Sequence, residues 1–286
     1  MTTDALITHV SDTARWVAVY RAMESERPDA LFRDPYARRL AGAKGQAIVD
    51  GMKNGKASAW AMIVRTVLLD DLIQQAVREG CDTVLNLAAG LDVRAYRMSL
   101  PPSLHWIDVD HPHMVAYKAA GMQGETPVCA YESVPLDLAD VEARRALFAR
   151  VNATAKQTLV ITEGLLIYLT EDQVSALATD LHACDTFTRW ASDLASPGLL
   201  RMMSKSWGRT VAAGNAPFQF GPANGPAFFA PLGWKELSFR SQFEEGIRLD
   251  RTFPMAKFYR WLGSISSAEK QQRFKYFSGV MLLGRA

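Results

Sequence analysis

Four short stretches hold the residue types best suited to chemistry. In Asn86-Leu87-Ala88-Ala89-Gly90-Leu91-Asp92 a single glycine stands between an apolar run and the next helical pattern. A dinucleotide fingerprint in that register needs glycines at 88, 90 and 93, and only Gly90 is present, so the turn suits a nucleoside without phosphates better than a pyrophosphate. Asp110 closes Trp106-Ile107-Asp108-Val109-Asp110, twenty positions past Gly90. A carboxylate there can accept both hydrogen bonds of a ribose diol, whereas Asp108, on the same face, reads as a structural partner. In Pro135-Leu136-Asp137-Leu138 the Asp137 carboxylate can accept from an adenine amino group while the Leu138 N–H donates to the ring. The same tripeptide also suits a loop before a helix capped by Asp140. Glu163 ends the apolar run Thr-Leu-Val-Ile-Thr. A carboxylate at such a buried strand end is costly unless it meets a cation, such as the ammonium of an amino-acid-like ligand.

These stretches each follow a segment with strand character. Strands are expected within 82–90, 104–110, 127–133, 158–164 and 187–193, separated by helical patterns at 91–98, 111–122, 140–151 and 171–184. Strands alternating with helices predict an α/β fold with a doubly wound, Rossmann-like parallel sheet, whose ligands bind outside the carboxyl ends of the strands. The first eighty residues read as helices: one capped at Ser11 or Asp12, one begun by Asp34-Pro35, and one from Lys56 to Arg78. The end, FKYFSGVMLLGR, reads as one or two strands.

Composition narrows the class. Hydrophobic residues are 49% and charged residues 22% of 286, which excludes disordered and fibrous classes. A net charge of +2 gives no global footprint for nucleic acid or an anionic membrane, so neither is expected as a partner. Cys81, Cys129 and Cys184 are scattered and form no CxxC, so no disulfide framework and no metal site are expected, and a reducing cytoplasm is the expected location. His105, His111 and His113 have no second ligand cluster. The uncharged stretch 210–234 has eight Gly or Pro residues between Gly214 and Gly233, which predicts a loop rather than a membrane span.

In order along the chain, SDTARWVAVYRAMESERPDALFRDPYARRLAG, LNLAAGLDVRAYRM, WIDVDHP, PLDL and ITEGLLIYL resemble the leucine carboxyl methyltransferase family, in its bacterial and mycobacterial branch of class I enzymes dependent on S-adenosyl-L-methionine. The resemblance implies S-adenosyl-L-methionine as cofactor, with contacts at Gly90, Asp110, Asp137, Leu138 and Glu163. It further implies that Arg21 and Arg65 reach the methionine carboxylate, which a planar guanidinium can bind with two parallel hydrogen bonds. The family's usual LGAG is LAAG here, so Ala88 adds a methyl group where the methionine tail is expected.

The expected organisation is one methyltransferase domain: a helical cover over 1–80, a cofactor-binding core over 81–195, a cap insertion over 196–262 and terminal strands over 263–286. Aromatic residues crowd the cap, and Phe228 and Phe229 are its expected acceptor-binding pair. The implied reaction is methyl transfer to an oxygen of a small molecule. A carboxylate acceptor needs no general base, and none is identifiable. A phenol or hydroxyl acceptor is the first alternative; an oxidoreductase using NAD and a non-catalytic nucleoside-binding protein are alternatives of other classes.

Overall fold

A computed structural model describes residues 12–52, 55–212 and 217–286, without the side chains of 207–212 and 268–269. The expected cap at Ser11 and the residues Ala213, Gly214, Asn215 and Ala216 of the expected loop lie outside the described residues.

Three helices come first: α1 (Asp12–Ser25), α2 (Ala37–Gly51) and α3 (Ala59–Arg78). The alternating half follows, with β1 (Thr83–Leu87), α4 (Arg94–Arg97), β2 (His105–Asp110), α5 (Pro112–Gly121), β3 (Ala130–Pro135) and α6 (Val141–Thr154). It continues through β4 (Thr158–Thr162), α7 (Glu171–His182) and β5 (Phe187–Ala195). The last third holds α8 (Pro197–Ala212), β6 (Trp234–Ser241), α9 (Gln242–Arg248), α10 (Ala256–Ser264), α11 (Ala268–Lys275) and β7 (Ser278–Arg285).

The strands form one sheet of order β3-β2-β1-β4-β5-β7-β6. β1 to β5 pair in parallel, and β7 runs antiparallel between β5 and β6. The order reverses between β1 and β4, which places a crevice at their carboxyl ends, the usual ligand position in such sheets.

All residues of β1 and β4 are buried, as expected of parallel strands covered on both faces. The two-residue side-chain period divides them between two cores. Leu85, Leu87 and Val160 face α6 and α7 through Leu147, Phe148, Leu177 and Leu181. Val84, Leu159 and Ile161 face α3 through Val64, Leu68, Leu72 and Ile73. Local signals set the helix starts. Asp140 caps α6 by accepting from the Ala143 N–H at 3.1 Å, and Thr170 and Gln173 form a capping box at α7.

Three expectations about the last third change. β6, assigned to the cap from sequence, is the edge strand of the sheet, paired with β7. Residues Gly225–Leu232, expected as loop, form 3₁₀-helical turns. Phe228 and Phe229 on those turns were expected at the acceptor, but Phe229 is completely buried, packed edge-on against Trp190, Phe220 and Phe228. Apolar rings beside a sheet edge gain more from its core than from a wetted cleft.

Candidate functional site

The carboxyl ends of β1, β4 and β5 open into a cavity of about 740 Å³, roofed by α1, α3, α8 and the segment around α10. Its charged end is built by short local devices. After β1 the chain turns with Ala88 and Gly90 both in left-handed backbone conformations, φ +54° and +53°. Glycine is at home there, whereas Ala88 carries strain of about 1–2 kcal/mol. A side chain on Gly90 would meet the Ala14 Cβ of α1 at 3.1 Å, so the close approach of α1 to this turn requires glycine.

Asp110 holds the turn from the next strand. Its Oδ2 accepts from the Gly90 N–H at 2.6 Å and its Oδ1 from the His111 N–H at 2.7 Å. Burial raises its pKa above the ordinary aspartate range, and these two backbone donors only partly offset that. Asp108 is structural, as expected. It is buried and accepts from Asn86, Trp106, Lys118 and Tyr131.

Glu163 does meet cations, and they come from the protein. Its Oε1 pairs with Arg65 Nε at 2.9 Å and its Oε2 with Arg94 Nη1 at 2.7 Å. Arg65 Nη1 also reaches Asp193 on β5 at 3.0 Å, and the other oxygen of Asp193 accepts from the Gly164 N–H at 2.6 Å. Arg94 extends the network to Asp92 at 2.5 Å and Asp70 at 2.6 Å, and Arg97 joins at Asp70. Burial alone would raise the Glu163 pKa, but Arg94 and Arg65 overcome it and hold the carboxyl below its ordinary range. Asp92 is likewise held down against burial, chiefly by Arg94. Arg65 and Arg94 stay charged despite burial because these acids surround them.

Arg21 lines the same cavity from α1. Its Nε donates to Asp34 at 2.8 Å and its Nη2 to the Leu91 carbonyl at 2.6 Å, tying the helical cover to the β1 turn. The helix expected to open at Pro35 under an Asp34 cap begins instead at Ala37 with Tyr36 as its N-cap, and Asp34 Oδ1 accepts from the Tyr36 N–H at 3.1 Å. Arg21 Nη1 and Arg65 Nη2 each have no hydrogen bond among the described residues.

Of the expected site residues, Arg21, Arg65, Gly90 and Glu163 line the cavity together, while Asp110, Asp137, Leu138, Phe228 and Phe229 do not. Asp110 touches it through Gly90. Asp137 accepts from the Ala139 N–H at 2.9 Å, and the Leu138 carbonyl accepts from Arg144 at 2.8 Å, so both also shape the loop before α6. The cluster includes Arg94 and Asp193, which sequence reasoning did not select. Asp193 carried a usable signal, an acid near the end of an apolar strand, like Asp110 and Glu163. Arg94 lay within the LDVRAY stretch without any local cue to its partners.

The other end of the cavity is apolar. Trp60, Phe243, Phe253 and Tyr259 form a chain of ring contacts with centroids 5.8–6.0 Å apart, and Met202, Met203 and Phe218 add to the wall. No histidine is among the described lining residues.

The model of the family described as leucine carboxyl methyltransferase matches residues 14–182. The chain is 41% identical over 175 residues to a Streptomyces coelicolor protein named as an S-adenosyl-L-methionine-dependent methyltransferase, covering 58% of this chain and 62% of the relative. It thus spans a little under two thirds of that relative's length. A Frankia alni protein with the same type of name is 33% identical over 242 residues, covering 79% of this chain and 83% of its own. Crystal structures of a DUF574-family protein from Streptomyces avermitilis and of a protein from Thermobifida fusca titled as a methyltransferase each superpose with a TM-score of 0.58 at 12% identity. They cover 96% and 99% of this chain, and 97% and 96% of their own. At that identity the likeness speaks for the fold.

Proposed function

Because the chain belongs to the leucine carboxyl methyltransferase family and is an S-adenosyl-L-methionine-dependent methyltransferase, we propose that it methylates an oxygen, and that the acceptor is a carboxylate on a small, largely apolar molecule. The observation that carries this reading is a single cavity joining a buried arginine–carboxylate cluster to an apolar lobe without a histidine among its described lining residues. The residues present fit the cofactor's groups. Arg21 Nη1 and Arg65 Nη2 supply cations for an α-carboxylate, and Glu163 and Asp193 supply acceptors for an ammonium. Gly90 lets a ligand approach the turn, Asp110 keeps lone pairs for a ribose diol, and Asp137 with the Leu138 N–H would read adenine.

Held by Arg21, Arg65 and Glu163, the cofactor would supply an electrophilic sulfonium methyl group for transfer to an acceptor oxygen. The protein's work is alignment and exclusion of water. Trp60, Phe243 and Phe253 desolvate the acceptor, and the ion pairs of Arg65 and Arg94 fix the charged end against the apolar one. A carboxylate, with a pKa of about 4, is ionised at pH 7 and asks no residue to take a proton. On this reading 1–80 covers the cofactor, 81–195 holds it, 196–262 supplies most of the acceptor lobe and 263–286 completes the sheet.

Incubating the protein with S-adenosyl-L-methionine and a fractionated metabolite extract tests the proposal. Products one methyl heavier that release methanol in mild alkali are the esters it expects. Alkali-stable methylated products would overturn the carboxylate assignment.

A further inference from the structure

The apolar end of the cavity runs out onto the protein surface: Met202, Met255, Tyr259, Phe274 and Phe277 line it and are themselves exposed. α10 extends that surface. Phe258, Trp261, Leu262 and Ile265, at the i, i+3, i+4, i+7 spacing of one helical face, are 47%, 56%, 38% and 66% exposed. Ala256 is the buried residue of the helix. An amphipathic surface helix normally turns its apolar stripe to the core, and this one turns it outward.

Charge on this side is segregated. Among the residues with described side chains, α8, α10 and α11 carry Arg201, Lys205, Lys257, Arg260, Lys270, Arg273 and Lys275. The whole chain is only +2, so the remainder is net negative. From a neighbouring element, Glu244 stands 3.8 Å from Arg260.

We propose that this face docks on an anionic lipid bilayer, with the α10 rings seated at headgroup level, the basic residues against lipid phosphates, and the cavity mouth turned to the membrane. Aromatic and aliphatic side chains on one helical face, flanked by lysine and arginine, are the composition of an interfacial helix. A second copy of the chain fits poorly, because a two-fold contact would set this basic surface against itself. A nucleic acid would leave Leu262 and Ile265 without a use. Docking is independent of which oxygen is methylated. It would let an amphiphilic acceptor pass from bilayer to cavity without crossing water.

Flotation of the full chain with vesicles tests this. The protein should rise with phosphatidylcholine vesicles containing roughly one third phosphatidylglycerol, rise far less with phosphatidylcholine alone, and be released by about 0.5 M salt. The pairs F258S/W261S and K257E/R260E, neither lining the cavity, should each cut anionic-vesicle binding by about tenfold or more. Both should keep the parent melting temperature and affinity for S-adenosylhomocysteine. Absence of vesicle binding by the parent protein overturns the proposal. So does a sedimentation result in which the parent self-associates and the same pairs dissociate it, which would make the face a subunit contact.

Discussion

Arg65 on α3 and Glu163 at the end of β4 lie 98 residues apart in sequence and meet at 2.9 Å inside the cavity wall. The pair joins the helical cover to the sheet at its switch point, with Asp193 and Arg94 as its further partners.

Arg65→Ala should be costly in two ways. It leaves the half-buried Asp193 without its cation and Glu163 with Arg94 alone, a loss of about 1–3 kcal/mol in stability. It also removes a donor proposed for the methionine carboxylate. Arg65→Lys should recover part of the stability but still bind S-adenosylhomocysteine about tenfold more weakly, because an ammonium cannot span two carboxylates and a ligand. Parental affinity of the Arg65→Lys variant in calorimetry would remove Arg65 from the cofactor site.

Asp110→Ala should weaken S-adenosylhomocysteine binding by roughly 1–3 kcal/mol. A ribose diol donates to the ionised carboxylate, and burial raises the Asp110 pKa. Affinity should therefore fall as pH drops through that raised value. A titration series that is flat there in the parent protein argues against the contact.

Acid should loosen the charged cluster. Glu163 and Asp92 have pKa values below their ordinary 4.5 and 3.8. Their stabilisation is complete above those unfolded values and is lost as pH falls through the lower folded ones. Asp110 works in the opposite sense: its raised pKa favours the folded state at low pH, and that is lost as pH rises from 3.8 through the folded value. Denaturant melts below about pH 5 should show a shallower acid decline in Glu163→Gln, from a lower starting stability.

Ala88→Gly should stabilise the protein by roughly 0.5–1 kcal/mol, since relief at φ +54° outweighs the added freedom of the unfolded chain. It should leave cofactor affinity equal or better. A lower melting temperature would show that the Ala88 methyl makes contacts worth more than its strain.

Phe229→Ala should cost about 3–5 kcal/mol through a core cavity, with parental cofactor affinity in the protein that folds. Phe253→Ala, in the apolar lobe, should instead raise the acceptor KM with a smaller stability cost. Equal effects on both measures would erase the distinction between core and lobe.

The alternation of elements was legible in the sequence because strand and helix periods are local properties. So were the acids at strand ends, Asp110 and Glu163, since a charge closing an apolar run stands out within a few residues. The cap at Asp140 was set by a neighbour three residues away.

Tertiary structure decided the partners. Glu163 needed a cation, but only folding chose Arg65 and Arg94 from elsewhere in the chain. Phe229 and Phe253 are equally apolar in sequence, yet one packs under the sheet and the other lines the cavity, because hydrophobicity demands burial without specifying where. β6 joined the sheet through the antiparallel return of β7, a pairing no local period encodes. A net charge of +2 averages away position, and only folding left Phe258 and Trp261 of α10 exposed on the helix that carries Lys257 and Arg260.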